Sequence, residues 1–207
     1  MSVLDATCLI TSLNLMAVGD CERAFAAAAS ADGIVLVPAR VPWLNQRGYF
    51  GLPDAAMGAL EPLNEIFKRL GGLEDDQRSK NLTALPGDFL HQATGTFIEV
   101  DESQHFTSFR LASLDCYPTD APLGFELDLY REICRDWARR SDGYRKSKPA
   151  RGFGPAGRQR QRAYHDALRD LVVPAMGHPP VIRVPAPNRD GAAAYARVRV
   201  QLEGLGR

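Results

Sequence analysis

The chain has 207 residues, 45% of them apolar, and its 25 Lys/Arg balance 25 Asp/Glu to a formal net charge of zero. That length and composition fit one globular domain with its own core, and with no apolar run of about eighteen residues they exclude a membrane-crossing helix. The zero hides an asymmetry, because residues 1–130 carry 8 basic against 18 acidic residues and residues 131–207 carry 17 against 7, which suits the second part to a polyanion.

The opening MSVLDATCLITSLNLMAVGD has Asp5 ahead of a short apolar run and no Lys or Arg, the wrong pattern for a secretory signal. Cys8, Cys21, Cys116 and Cys134 form no C-x-x-C pair and no zinc-like spacing with the histidines, so reduced, mostly buried thiols and a cytoplasmic location are expected. Asp20 begins DCERAFAAAAS, a predicted alanine-rich helix with a good N-cap, closed by the Asp32-Gly33 turn before the β-branched strand IVLVP. LPDAAMGALEPLNEIFKRLGG is helical in pattern, interrupted at Pro62 and closed by Gly71 and Gly72, with Ile66, Phe67 and Leu70 turned to a core. A polar loop, EDDQRSKN, leads to LPGDFLHQATGTFIEVDE, which reads as a hairpin with its turn around Ala93 to Gly95.

TSFRLASLDCYPTDAPLG reads as irregular, and FELDLYREICRDWARR as an amphipathic helix with Leu129, Ile133 and Trp137 on its inner stripe. Between Arg139 and Arg162 there are nine Lys/Arg and one acid, Asp142, in a Gly-rich stretch expected to be a flexible loop tracking phosphates. QRQRAYHDALRDLVV follows as a helix with Tyr164, Leu168, Leu171 and Val172 inward and Arg162, His165 and Arg169 on other sides. PPVIRVPA is a short buried strand, and Asp190 caps a final helix through Leu202. This order predicts an α/β or α+β domain, a central mixed sheet flanked by helices.

The chemistry concentrates in GTFIEVDESQHF. In a strand, Ile98 and Val100 take one face while Glu99 and Asp101 share the other. Acids are depleted in strands and like charges repel, so solvent, arginines or a divalent cation must offset them. The hairpin carries Asp88 on one arm and Glu99 on the other, so the two acids can meet across the pair. Two carboxylates from paired strands, with Asp101 on the same face, match the hard oxygen ligands that Mg²⁺ takes. The residue chemistry leaves plainer alternatives open: Glu99 and Asp101 on a solvent-facing sheet balanced by arginines, Asp88 capping a turn, His105 a satisfied partly buried histidine, Asp166 and Arg169 a helical i, i+3 pair.

PGDFLHQATGTFIEVDESQHF resembles the core motif of the PD-(D/E)XK restriction-endonuclease-like superfamily, nearest the very-short-patch-repair-like branch, whose second strand often reads E-x-D-G-x-x-H. YHDALRDLVVPAMGHPPVIRV is similar to that branch's helix and closing strand, with their D-x-x-R, glycine and V-x-R pattern. The resemblance spans roughly residues 53–185, with 116–161 as a helical, basic insertion in a single restriction-endonuclease-like domain covering 1–207. It implies Asp88 and Glu99 as metal ligands, Asp101 in the place of the family's lysine, Gln104 and His105 as the polar pair after the acidic strand, and Glu65 as the acid of the preceding helix. Glu102 stands where the branch has glycine and Gly87 where it has proline.

The expected function is therefore a metal-dependent nuclease hydrolysing DNA phosphodiester bonds. Asp88, Glu99 and Asp101 would hold Mg²⁺ or Mn²⁺, and Gln104 or His105 would orient or deprotonate the attacking water. Arg145, Lys146, Lys148, Arg151, Arg158, Arg160, Arg162 and Arg169 would grip phosphates of DNA, with RNA open and no membrane partner. The missing lysine motivates the alternative of a catalytically inactive nuclease-fold module that binds nucleic acid or a protein. A carboxylate-pair glycosidase fits less well, since no aromatic cleft for a sugar is evident.

Overall fold

The computed structural model describes residues 19–205, so the N-terminal apolar run and Cys8 lie outside the described residues. Along the chain run α1 (Asp20–Ala31), β1 (Leu36–Asn45), α2 (Leu60–Arg69), α3 (Glu74–Arg78), β2 (Ala84–His91), β3 (Thr96–Glu102), α4 (Ser108–Leu114), α5 (Leu127–Ser141), α6 (Arg158–Ala175), β4 (Ile182–Ala186) and α7 (Gly191–Gly204). Short 3₁₀ turns cover Gly48–Gly51, Asp54–Ala59 and Ser103–His105. The strands form one mixed sheet in the order β1-β2-β3-β4, antiparallel across the first two pairs and parallel between β3 and β4. Helices cover both faces, which is the layered α/β arrangement expected.

Alternation along β3 sorts the two layers. Ile98 and Val100 pack with Ile182 and Val184 of β4 against Phe25 of α1 and Ala194 of α7. These two helices approach closely: a Cβ at Gly191 would lie 1.9 Å from the Cys21 carbonyl oxygen. Asp190 caps α7 as predicted, its Oδ1 accepting the Ala193 N–H at 2.9 Å. Asp20, by contrast, is inside α1; the N-cap is Gly19 at φ +86°, a left-handed position suited to glycine.

On the other face the main core joins Phe67 of α2, Phe106, Leu114 of α4, Tyr130 and Cys134 of α5, and Tyr164 and Leu168 of α6. Each such aromatic or leucine contributes roughly 1.5–3 kcal/mol by leaving water. α6 is the central helix, and every residue from Ala163 to Val173 is buried. His165 and Arg169, expected off the inner stripe, are therefore interior. With neighbours on all sides, burial replaces the one-sided stripe that sequence periodicity assumes.

Other expectations shift for local reasons. β1 continues past IVLVP to Asn45 through Pro38 and Pro42, with two register shifts against β2, as an edge strand allows. At the other edge the chain at Gly124 packs against the entry to β4, where a Cβ would lie 2.5 Å from the Val181 carbonyl oxygen. The helical break falls at Leu60, where a 3₁₀ turn gives way to α2, and Pro62 sits harmlessly in the first turn. Glu74–Arg78 is a helical turn rather than loop, and Ser108–Leu114 is a helix rather than irregular, started by Thr107 accepting the Arg110 N–H at 3.0 Å. On α5 Tyr130, Cys134 and Ser141 are buried and Ile133 and Trp137 pack partly buried against the core as expected, but Leu129 is 48% exposed.

The basic segment is anchored rather than loose. Phe153 is buried between Phe67 and Tyr164, with ring centroids 5.2 and 5.7 Å away, and Ala150 bridges to Gly154. Cys21, Cys116 and Cys134 are free thiols, two of them buried. No helix among the described residues is long and apolar enough to cross a membrane.

Candidate functional site

β3 turns Glu99 and Asp101 away from the apolar back layer toward α6, and both are buried. The hairpin places Asp88 one rung beyond the Phe89–Ile98 pair, opposite Glu99. There the two acids clasp across the strands. Glu99 Oε1 accepts the Asp88 backbone N–H at 3.3 Å, and Asp88 Oδ2 accepts the Val100 N–H at 2.7 Å. Gly87 makes room for this: a Cβ there would lie 2.6 Å from Glu99 Oε1, so any side chain at this position would crowd the carboxylate.

Crowding shows in the acidities. Withdrawal from solvent, then the Glu99 charge, pushes the Asp88 carboxyl up to about 8. Burial raises Glu99 as well, against the pull of Arg169 and Arg183. Arg169 Nε lies 3.3 Å from Glu99 Oε1, and a second Arg169 nitrogen donates to the Pro86 carbonyl.

Asp101 belongs to a different set of contacts. Arg183 Nη1 from β4 reaches both of its oxygens at 2.9 and 3.0 Å, and the Tyr130 hydroxyl donates to Oδ2 at 3.0 Å. Arg183 continues to Asp170 at 2.6 Å and to the Asp166 carbonyl at 3.0 Å, and Asp170 is shared with Arg110 and the Tyr117 hydroxyl, each 2.7 Å away. His105 closes the network with Nδ1 3.0 Å from Asp166 Oδ2 and 3.3 Å from Asp101 Oδ1. Burial opposes ionisation of Asp166, but His105 and Arg183 hold it well below the carboxylate range. Burial likewise opposes charge on His105, yet Asp166 and Asp101 raise it above its ordinary value. Because Asp166 is an ionised acceptor, Nδ1–H must donate, which leaves Nε2 for whatever faces the ring.

What it faces is a cavity of about 180 Å³ between the hairpin and α6, whose walls include Asp88, Glu99, His105, Asp166, Arg158 and Arg162. A larger cavity of about 510 Å³ between the Leu123–Tyr130 stretch and β4/α7 contains no comparable group of acids.

Within this geometry, residues 65–147 are similar to a family of unknown function (DUF7255). That match takes in the hairpin acids and His105 but stops before α6 and β4. No curated protein and no solved structure matches the chain.

Asp101, His105 and Asp166 could hold a metal ion, since one ligand atom from each lies within 4.8 Å of the others. That trio differs from the expected Asp88, Glu99 and Asp101, of which the structure joins Asp88 to Glu99 but commits Asp101 to Arg183. Gln104 contributes its backbone, the carbonyl accepting from Arg162 Nη1 at 3.2 Å, and its side chain is not part of the cavity wall. Glu65 is exposed on α2 and lines no part of this cavity.

Of the basic residues, Arg158 and Arg162 reach the cavity and Arg145, Lys146 and Lys148 are exposed beyond it. Arg151 is exposed but bonded to Ser79, and Arg160 donates to the Phe153 and Pro155 carbonyls. Arg169 is buried and occupied by Glu99, Asp166 and Pro86, so it builds the site rather than offering a free surface cation. Sequence reasoning passed over Tyr130, Asp166 and Asp170 as site residues. The D-x-x-R and V-x-R patterns mark Asp166, Arg169 and Arg183, but only Arg169 receives a role there, as a phosphate-gripping residue.

Proposed function

We propose that the chain is a metal-dependent nuclease acting on DNA, built on a restriction-endonuclease-like core. The observation that carries this reading is the clasp of Asp88 and Glu99 at a cavity also lined by Arg158 and Arg162. Two carboxyls that stay raised despite Arg169 and Arg183 beside Glu99 favour a divalent cation at this pair. The Asp101–His105–Asp166 trio is less apt as a metal centre, because Arg183 already stands 2.9 Å from Asp101 and would repel an ion there. Mg²⁺ or Mn²⁺ held by Asp88 and Glu99 would polarise a phosphodiester and lower the pKa of a bound water. Arg158 and Arg162 would offset charge on the phosphoryl oxygens. His105, fixed through Nδ1 and with its pKa raised by Asp166 and Asp101, would in its protonated form offer the Nε2 proton to the departing oxygen.

The test is cleavage of labelled DNA by the purified protein with Mg²⁺ or Mn²⁺, and calorimetric Mn²⁺ binding. Both are lost in Asp88→Ala and Glu99→Ala if the pair is the metal site. Mn²⁺ binding that survives both substitutions but disappears in Asp166→Asn would move the metal to the other trio.

A second reading rests on Arg169. Its contact with Glu99 supplies positive charge where a metal would, and Asp101 fills the place of the motif's lysine, which favours a nuclease-like module that binds nucleic acid without cutting it. Salt-sensitive DNA binding with no metal uptake and no cleavage distinguishes it.

A further inference from the structure

The turn after α5 displays an aromatic ring beside the cavity. Tyr144 is 40% exposed, with the Arg145 guanidinium 5.2 Å and the Arg162 guanidinium 5.9 Å from its ring centroid. Arg162 is also a wall residue of the acid cavity, so one side chain joins the ring to the Asp88–Glu99 clasp. On the preceding helix Arg140 lies over Trp137 at 5.4 Å, but that ring is partly buried against the main core.

The turn is built to hold this position. The buried Gln159 amide nitrogen donates to the Ser141, Asp142 and Tyr144 carbonyls at 3.1, 3.0 and 2.6 Å. Ser141 Oγ donates to the Ser103 carbonyl at 2.6 Å, and Asp142 Oδ1 accepts the Ser108 N–H at 3.0 Å. Arg145 adopts φ +50°, a left-handed conformation costly for a residue with a side chain. A turn fastened at five points, with strained backbone next to a half-open tyrosine, is not a loop that happens to carry one. The tyrosine hydroxyl makes no hydrogen bond among the described residues, and the guanidiniums of Arg145 and Arg162 lie over the ring, where a stacking base would take the place of the exposed Arg145.

An exposed aromatic ring flanked by arginines and set in a basic segment is the chemistry that binds an unpaired base and its phosphates. Bases inside a duplex are stacked on one another and cannot reach such a ring. We propose that Tyr144 is a stacking platform for an unpaired nucleobase, and that the substrate presents single-stranded or frayed nucleic acid to the cavity. This rests on the nucleic-acid reading above and deepens it.

The experiment uses the full chain carrying Asp88→Asn to prevent turnover, with fluorescence anisotropy on single-stranded DNA, single-stranded RNA and duplex DNA of one sequence, at low and physiological salt. Tyr144→Ala should weaken single-strand binding by about tenfold and change duplex binding by no more than about twofold, while Tyr144→Phe stays near the parent. A 2-aminopurine base in the strand should be quenched on binding the parent and remain bright with Tyr144→Ala. The DNA and RNA arms show which strand chemistry is preferred. If the parent binds single strands but Tyr144→Ala binds as tightly, or if Phe behaves like Ala, the stacking proposal falls and the nuclease reading stands. If the parent binds no nucleic acid at low salt, both fall together. Thermal melts of the variants confirm that each is folded.

Discussion

Arg183 Nη1 lies 2.9 and 3.0 Å from the two carboxylate oxygens of Asp101, and neither side chain is more than 2% exposed. Across the parallel ladder Arg183 is paired with Glu99, so the cation enters the layer between sheet and α6 beside the acids it neutralises. Removing it leaves buried Asp101 with Tyr130 and His105 alone, and buried Asp170 with Arg110 and Tyr117 alone. Arg183→Met should cost about 3–5 kcal/mol of unfolding free energy, read by urea denaturation. A loss below about 1 kcal/mol would mean that the network is wetter than its geometry implies.

Asp88 should make stability depend on pH. Its pKa is raised from 3.8 to about 8 in the folded chain, so the folded state holds a proton that the unfolded state releases in between. Its contribution is full below 3.8 and is lost as the pH climbs to about 8. Asparagine cannot ionise, so metal-free Asp88→Asn should gain stability relative to the parent as the pH is taken from about 5 to about 9. Mn²⁺ should reverse the order by stabilising only the parent. A pH-independent difference between the two proteins would contradict the raised carboxyl.

The sign for His105 is that of a base. Burial alone would lower its pKa, but Asp166 and Asp101 raise it above 6.5. Its ion pairs are therefore fully present below 6.5 and lost as the pH rises through the folded value. His105→Gln should destabilise the metal-free protein by about 1.5–3 kcal/mol in mildly acidic buffer and by less in alkaline buffer. An NMR titration of the ring should place its midpoint above 6.5.

Gly87→Ala separates site geometry from stability. The new Cβ would fall 2.6 Å from Glu99 Oε1 and 3.1 Å from the Ala39 Cβ, and the end of a glutamate can move aside. Mn²⁺ affinity should drop by about tenfold, as when a ligand loses its orientation, while unfolding free energy changes by about 1 kcal/mol. Equal metal affinity in both proteins would show that the Glu99 position is not critical.

The parts of this molecule legible in its sequence are those governed by neighbours along the chain. Strict alternation in β3 separated Ile98 and Val100 from Glu99 and Asp101, the glycine turn brought Asp88 to Glu99, and Asp190 marked a helix start. What stayed hidden depends on contacts between distant segments. α6 is buried on all sides, so Asp166, legible only as an i, i+3 partner of Arg169, and Asp170, marked by no pattern, are both 1% exposed. Tyr130 lies 29 positions from Asp101, and no local pattern links them. The offset that Glu99 and Asp101 require was foreseen as solvent, arginines or a cation; the folded chain supplies Arg169 and Arg183 from α6 and β4.

The borders of the sheet have a consequence for crowded solution. Pro38 and Pro42 deny β1 two backbone donors, its pairing with β2 is irregular, and within β4 the Pro185 carbonyl already accepts from Arg197 of α7. Each flank therefore presents another copy with an irregular or short row of amides, five residues in β4, on which to lengthen the sheet. A border of that shape disfavours edge-to-edge growth.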